Sequence, residues 1–163
     1  MEIINGERLV LGTCYYPEHW DESLWRDDLK RMLENGIEVI RIAEFAWSKI
    51  ERYEGVFNYD FFDRFLDVAA DMGMKVIFCT PTATPPAWLT EKYPEVLNAN
   101  MDGVLYRHGG RRHYNYNSPK YQELTRIIVE KSASHYAKHP AIIGWQIDNE
   151  INCEKNEFYS ESD

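Results

Sequence analysis

The sequence predicts an α/β fold, the N-terminal half of a (β/α)8 TIM barrel with about four parallel strands and three covering helices. Three observations carry this reading. Apolar runs alternate with amphipathic helical patterns in the order βαβαβαβ, and near-continuous apolar strands belong to a parallel sheet covered on both faces. Helix-to-strand joins are minimal, at Gly36-Ile37, Gly73-Met74 and His139-Pro140, whereas strand-to-helix joins are long, from Glu44 to Phe57 and from Pro81 to Asn117. Loop material therefore gathers at the C-terminal ends of the strands, where parallel α/β folds place their sites. Finally, the first strand-to-helix turn, Pro17 to Asp21, holds no glycine. Nucleotide-binding sheets carry a glycine-rich turn there, so the pattern favours a barrel.

Each element has its own justification. Leu9 to Tyr16 reads as a buried strand. Asp21 caps a helix whose Trp25, Leu29, Met32 and Leu33 share one face, and Gly36 ends it. A second strand covers Glu38 to Ala43. The next helix starts near Asn58 to Asp60, lines up Phe62, Phe65, Leu66 and Ala69, and stops at Gly73. Lys75 to Thr80 forms a third strand. Ser118-Pro119 is an N-cap followed by proline at the first helical position, opening a helix with Tyr121, Leu124, Ile127 and Ile128 that runs to about Lys138. Ala141 to Ile147 is the fourth strand. No repeat, linker or low-complexity segment interrupts this order.

Bulk properties exclude several function classes. The formal net charge of −9 repels phosphate backbones and anionic lipid, so nucleic acid and membrane surfaces are not expected partners. Met1 to Asn5 lacks a basic-then-apolar signal pattern, and no apolar run reaches bilayer length. The three cysteines, Cys14, Cys79 and Cys153, are odd in number and widely spaced. They form neither a disulfide framework nor a metal quartet, which fits a reducing, cytoplasmic setting. Cys14 and Cys79 sit inside strand runs and are expected to be small buried hydrophobes. The histidines show no ligand spacing, so no metal site is read.

The chemistry concentrates after the fourth strand, at Asp148-Asn149-Glu150. A carboxylic acid at a strand's C-terminal end can protonate a glycosidic oxygen if its surroundings favour the protonated form, and an adjacent amide can hold a sugar hydroxyl. The plainer alternative is that the triplet only caps the following element. Arg111 offers a rigid fork of donors for paired oxygen acceptors, against the alternative of a solvated basic run at Arg107 to Arg112. Trp20, Trp47, Trp88, Tyr106, Tyr114 and Tyr116 are either sugar platforms or the filling of the long loops. Glu18 and Glu44 also end strands. Pairing with Arg41 or the loops is their expected role, rather than partnership with Glu150.

The chain resembles glycoside hydrolase family 42, the β-galactosidases of the large retaining-glycosidase barrel clan. The resemblance rests on Tyr15 to Trp20, Arg41 to Ser48, Thr80 to Leu89, Arg111 to Tyr114 and Trp145 to Glu150, in family order at family-like spacing. It implies that Glu150 is the acid/base, and that Asn149 and Arg111 bind the sugar. It also implies β-galactoside oligosaccharides as substrates and no cofactor. Some members carry a cysteine where Asn115 stands, with three more beyond the acid/base, together holding a structural zinc; that set is absent here. A whole barrel takes roughly 250 residues, so residues 1–163 are expected to be a partial catalytic barrel domain, strands one to four. The nucleophile, ending a seventh strand in the family, would lie outside it. Such a half would expose strand edges, would be inactive alone, and is expected to associate with itself as a homo-oligomer. The competing functions are a non-catalytic sugar-binding module, a structural fragment, and a clan relative acting on β-glucosides or plant-wall oligosaccharides.

Overall fold

The computed structural model describes residues 9–151 and 157–163. Cys153 and the Met1 to Asn5 segment lie outside the described residues. In chain order the elements are β1 (Leu11–Cys14), α1 (Trp25–Glu34), β2 (Ile37–Ile42), α2 (Trp47–Ile50), β3 (Glu51–Tyr53) and β4 (Val56–Phe57). They continue with α3 (Asp60–Asp71), β5 (Lys75–Cys79), α4 (Ala87–Lys92), α5 (Pro119–Tyr136) and β6 (Ile142–Gln146). The chain forms two compact units. One comprises residues up to Ala43, Tyr59–Cys79 and Tyr136–Ile147; the other comprises Glu44–Asn58, Thr80–His135 and Asp148–Asp163.

The first unit is a four-stranded sheet in the order β1-β2-β5-β6, every pair parallel. Each new strand joins the same side of the one before, so the order never reverses. A doubly wound sheet reverses at its switch point. This is the strand arrangement of the first half of a (β/α)8 barrel.

The helix readings hold at the residues that carried them. Asp21 accepts from the Ser23 amide at 2.9 Å and caps a short 3-10 turn that leads into α1. Trp25 and Leu29 are buried, and the Trp25 ring sits edge-on to Phe61 and Phe65 at 5.2 and 5.1 Å. On α3, Phe62, Phe65, Leu66 and Ala69 are fully buried. That i, i+3, i+4, i+7 spacing is one helical stripe, and burying each phenylalanine stabilises by about 1.5–3 kcal/mol. Gly36 and Gly73 end α1 and α3 at φ of +79° and +76°, which a residue with a Cβ adopts only at a cost.

Two expectations fail in this unit. β1 is four residues long and exposed along its length, with Leu11 50% accessible, and Cys14 is exposed while Cys79 is buried. The cause is position in the sheet: among the described residues β1 pairs only with β2, whereas β5 has a strand on each side. An apolar run reports β-propensity and cannot tell an edge from a centre.

The second unit consists of the segments that follow β2, β5 and β6 in the chain. Of these, residues 44–57 and 81–117, read as loops, hold α2, α4, an antiparallel β3–β4 hairpin and two 3-10 turns. These pieces are shorter than the window over which periodicity shows. Glu51 ties them together: it accepts from the Trp47 indole at 2.7 Å and the Gly55 amide at 2.8 Å, and its carbonyl takes the Trp88 indole at 3.0 Å. The legs of residues 80–118 are pinned by backbone bonds from Asn98 to the His113 carbonyl and from Asn115 to the Val96 carbonyl, at 2.9 and 2.8 Å. α5 begins where expected; Ser118 is buried and its hydroxyl accepts from the Tyr121 amide at 3.4 Å.

Candidate functional site

A cleft of about 550 Å³ opens in the second unit, a volume usual for small-molecule sites. All three segments of the unit line it: Phe45 and Ser48 from the first, residues 83–87 and 108–113 from the second, and Asn149 from the third.

Two of the three expected site residues, Arg111 and Asn149, line this cleft. Glu150 is not among its lining residues, but its carboxylate forms an ion pair with the Arg111 guanidinium, both side chains being about half exposed. The structure thus joins Arg111, Asn149 and Glu150 in one place. Glu44 is buried and does not line the cleft, and Glu18 belongs to the other unit.

Below the exposed pair lies a polar network that the sequence reading left out. Arg112 is buried, with only 2% of its side chain accessible. Its Nη1 donates to Asp148 Oδ1 at 3.1 Å and to the Tyr114 hydroxyl at 2.6 Å. Asp148 accepts in addition from the Thr82 hydroxyl at 2.7 Å and the Asn149 amide at 2.6 Å, while its own amide donates to Thr80 Oγ1 at 2.8 Å. The Tyr121 hydroxyl donates to the Thr82 carbonyl at 2.8 Å, and the rings of Tyr114 and Tyr121 stack at 4.7 Å. Burial works against the Arg112 charge, but the field of Tyr114, the bond to Asp148 and the field of Tyr116 hold the guanidinium above its ordinary range. Burial and the field of Asp148 push the Tyr114 phenol up.

Asp148 is therefore an anchor rather than a plain cap, and it sets the backbone that carries Asn149 and Glu150. Arg112, Asp148 and Glu150 have φ of +56°, +53° and +45°. Left-handed residues other than glycine persist where the surroundings over-determine them, and they cluster at functional sites. Arg112 Nε and Nη2, Thr84 Oγ1 and His113 Nε2 are buried with no hydrogen-bond partner among the described residues, and all three residues line the cleft. The signal for Arg112 was present in the Arg111-Arg112 pair. Choosing between the neighbours required Asp148, 36 positions away.

None of the six candidate aromatics lines the cleft; Phe45 does. Trp47 and Tyr114 are fully buried within the second unit, because an indole or phenol that reaches a partner such as Glu51 or Arg112 is an efficient filling for an irregular core. No metal is derived. Asn115 is buried and donates its amide hydrogens to Ser160 Oγ at 2.5 Å and Asp163 Oδ2 at 2.7 Å, so it offers a zinc ion no thiolate. Among the described residues no three His, Cys, Asp or Glu side chains form a metal-holding group.

Comparison with known proteins supplies what the cleft alone does not. The glycoside hydrolase family 42 model, described as β-galactosidase, matches residues 14–163. The β-galactosidase Bga of Halorubrum lacusprofundi is 43% identical over 143 residues, covering 88% of this chain and 20% of that protein. The β-galactosidase BgaA of Thermus sp is 46% identical over 144 residues, covering 88% of this chain and 22% of that one. The crystal structure of β-galactosidase from the psychrophilic Marinomonas ef1 superposes with a TM-score of 0.91 at 42% identity, over 94% of this chain and 24% of the other. The chain spans about a fifth to a quarter of the length of these relatives.

Proposed function

The chain belongs to the β-galactosidases of glycoside hydrolase family 42, and from that premise we propose that it supplies the acid/base side of a retaining β-galactosidase acting on terminal non-reducing β-D-galactosides. The observation that carries the proposal is the meeting of Arg111, Arg112 and Asn149 in one cleft, with Glu150 next in the chain and ion-paired to Arg111.

Glu150 gives its proton to the glycosidic oxygen as the bond to the anomeric carbon breaks. A second carboxylate attacks that carbon from the opposite face and forms a glycosyl-enzyme; Glu150 then takes a proton from the water that releases the sugar. The second carboxylate is not assigned among the described residues. Asn149 and Arg111 hold sugar hydroxyls. Arg112 joins them, since it lines the cleft and its Nε and Nη2 are buried without an acceptor among the described residues. Asp148 keeps Asn149 and Glu150 in place.

The setting we propose is a cytoplasmic homo-oligomer whose substrates are β-galactoside oligosaccharides, with residues 1–163 forming part of one catalytic barrel domain. In support, no helix among the described residues is long and apolar enough to cross a membrane.

The test is Glu150→Ala in the full-length protein. General acid catalysis contributes roughly 10²–10⁴-fold, so hydrolysis of lactose should fall by that order. The glycosylation step on nitrophenyl galactosides should fall far less, because a good leaving group needs no proton. Near-normal lactose hydrolysis in the variant refutes the assignment.

A further inference from the structure

Resting on the proposed function, we infer that His113 selects the substrate by accepting a hydrogen bond from a sugar hydroxyl at its Nε2. The ring lines the cleft, is 5% exposed, and holds its Nδ1 against the Gly110 carbonyl at 2.5 Å. A carbonyl only accepts, so Nδ1 carries the hydrogen and Nε2 of the neutral ring is a bare acceptor. That nitrogen is buried and has no hydrogen-bond partner among the described residues. Buried acceptors are nearly always filled, which calls for a donor arriving in the cleft.

The surroundings choose the donor. His108 stands edge-on to the ring at 4.9 Å, but its own Nδ1 is engaged with the Thr90 hydroxyl at 3.0 Å. Tyr114 lies edge-on at 5.5 Å, and its oxygen accepts from Arg112. No group of three metal-ligating side chains exists among the described residues. The adjacent Arg112 lines the same cleft, and its Nε and Nη2 are also buried without a hydrogen-bond partner among the described residues. A hydroxyl both accepts and donates, so it satisfies a guanidinium and an imidazole together. Ether, fluorine and hydrogen substituents cannot do both. Burial, opposed by the Gly110 bond and aided by the field of His108, holds the imidazole below its ordinary value, which favours the form whose Nε2 accepts.

The two nitrogens are separated by substitution. His113→Asn keeps an amide hydrogen for the Gly110 carbonyl and removes the Nε2 acceptor; His113→Gln supplies an amide oxygen near the Nε2 position and gives up the Gly110 bond. Both are assayed in the full-length protein on nitrophenyl β-galactoside and on each of its monodeoxy and monofluoro analogues. A neutral hydrogen bond corresponds to about 2- to 10-fold in kcat/KM. His113→Asn should lose that factor on the parent substrate and on all analogues except those altered at one hydroxyl, where it should equal wild type. His113→Gln should keep most of the rate. The ratio of analogue to parent kcat/KM is taken within each protein, so a reduced folded fraction cancels from the ratios that are then compared. An equal loss on every analogue, no loss in His113→Asn, or a loss confined to His113→Gln overturns the inference and leaves a loop anchor. A wild-type protein inactive on every galactoside sinks the proposed function instead, and the inference with it.

Discussion

Arg112 and Arg111 are consecutive, chemically identical and placed in opposite environments. The buried one answers a buried carboxylate, Asp148, whereas the exposed one meets Glu150 where water competes. Removing one member of a buried pair leaves an uncompensated charge and costs about 3–5 kcal/mol, while exposed pairs contribute about 0–1 kcal/mol. Arg112→Met is therefore expected to lower the denaturant midpoint strongly, and Arg111→Met to leave it nearly unchanged while reducing kcat/KM. Equal midpoints for the two variants would show that the Arg112–Asp148 pair does not hold the site. His113 adds a pH dependence. Burial, opposed by the Gly110 bond and aided by His108, holds its imidazole below the ordinary value. The unfolded chain then binds the proton first as pH falls, so the stability contribution is complete above about pH 6.5 and is lost as pH drops toward the folded value. Melting curves should show a steeper acid-side loss for wild type than for His113→Asn, and parallel curves would remove His113 from the account.

The segments that build the site behave as elements although they lack long helices or strands. Residues 44–58 fold back on the Glu51 carboxylate, which burial pushes above its usual range while the Gly55 and Trp47 bonds pull it down. Glu51→Ala would leave the Trp47 indole and the Gly55 amide without that acceptor, at about 1–3 kcal/mol for each buried group stranded. Chemical denaturation should register the drop, and Glu51→Gln, which keeps one of the two acceptor oxygens, should recover only part of it. No change in Glu51→Ala would mean that the hairpin is held by apolar contacts alone. None of this was legible from periodicity. The signal lies in one glutamate placed four residues from both a tryptophan and a glycine.

At the scale of the whole molecule, the charge of −9 sets what the surface accepts without touching the reaction. A galactoside is uncharged, so its encounter with the cleft gains nothing from long-range steering. Raising ionic strength shortens the Debye length from ~30 Å at 0.01 M to ~10 Å at 0.1 M. The kcat/KM of the full-length protein on a neutral galactoside should stay nearly constant across that range. A steep salt dependence would indicate a charged substrate and count against the proposed class.

The sequence by itself determined the order of strands and helices, the apolar stripes of α1 and α3, the glycine stops at Gly36 and Gly73, and the family. These are local or linear properties: a helical stripe repeats within a few residues, and a motif series survives as spacing. It also brought Arg111, Asn149 and Glu150 forward as a group, and the structure puts them together. Only the tertiary structure decided that Arg112, not Arg111, is the buried arginine, that Asp148 bonds the Asn149 amide, and that His113 Nε2 is buried without a partner among the described residues. It also corrected Cys14, expected to be buried, which is exposed while Cys79 is covered. The physical reason is the same in each case. The cost of burying a charge or a polar atom, and the gain from covering an apolar strand, depend on partners far along the chain. Asp148 stands 36 positions from Arg112 and 66 from Thr82, distances at which sequence pattern carries no information about contact.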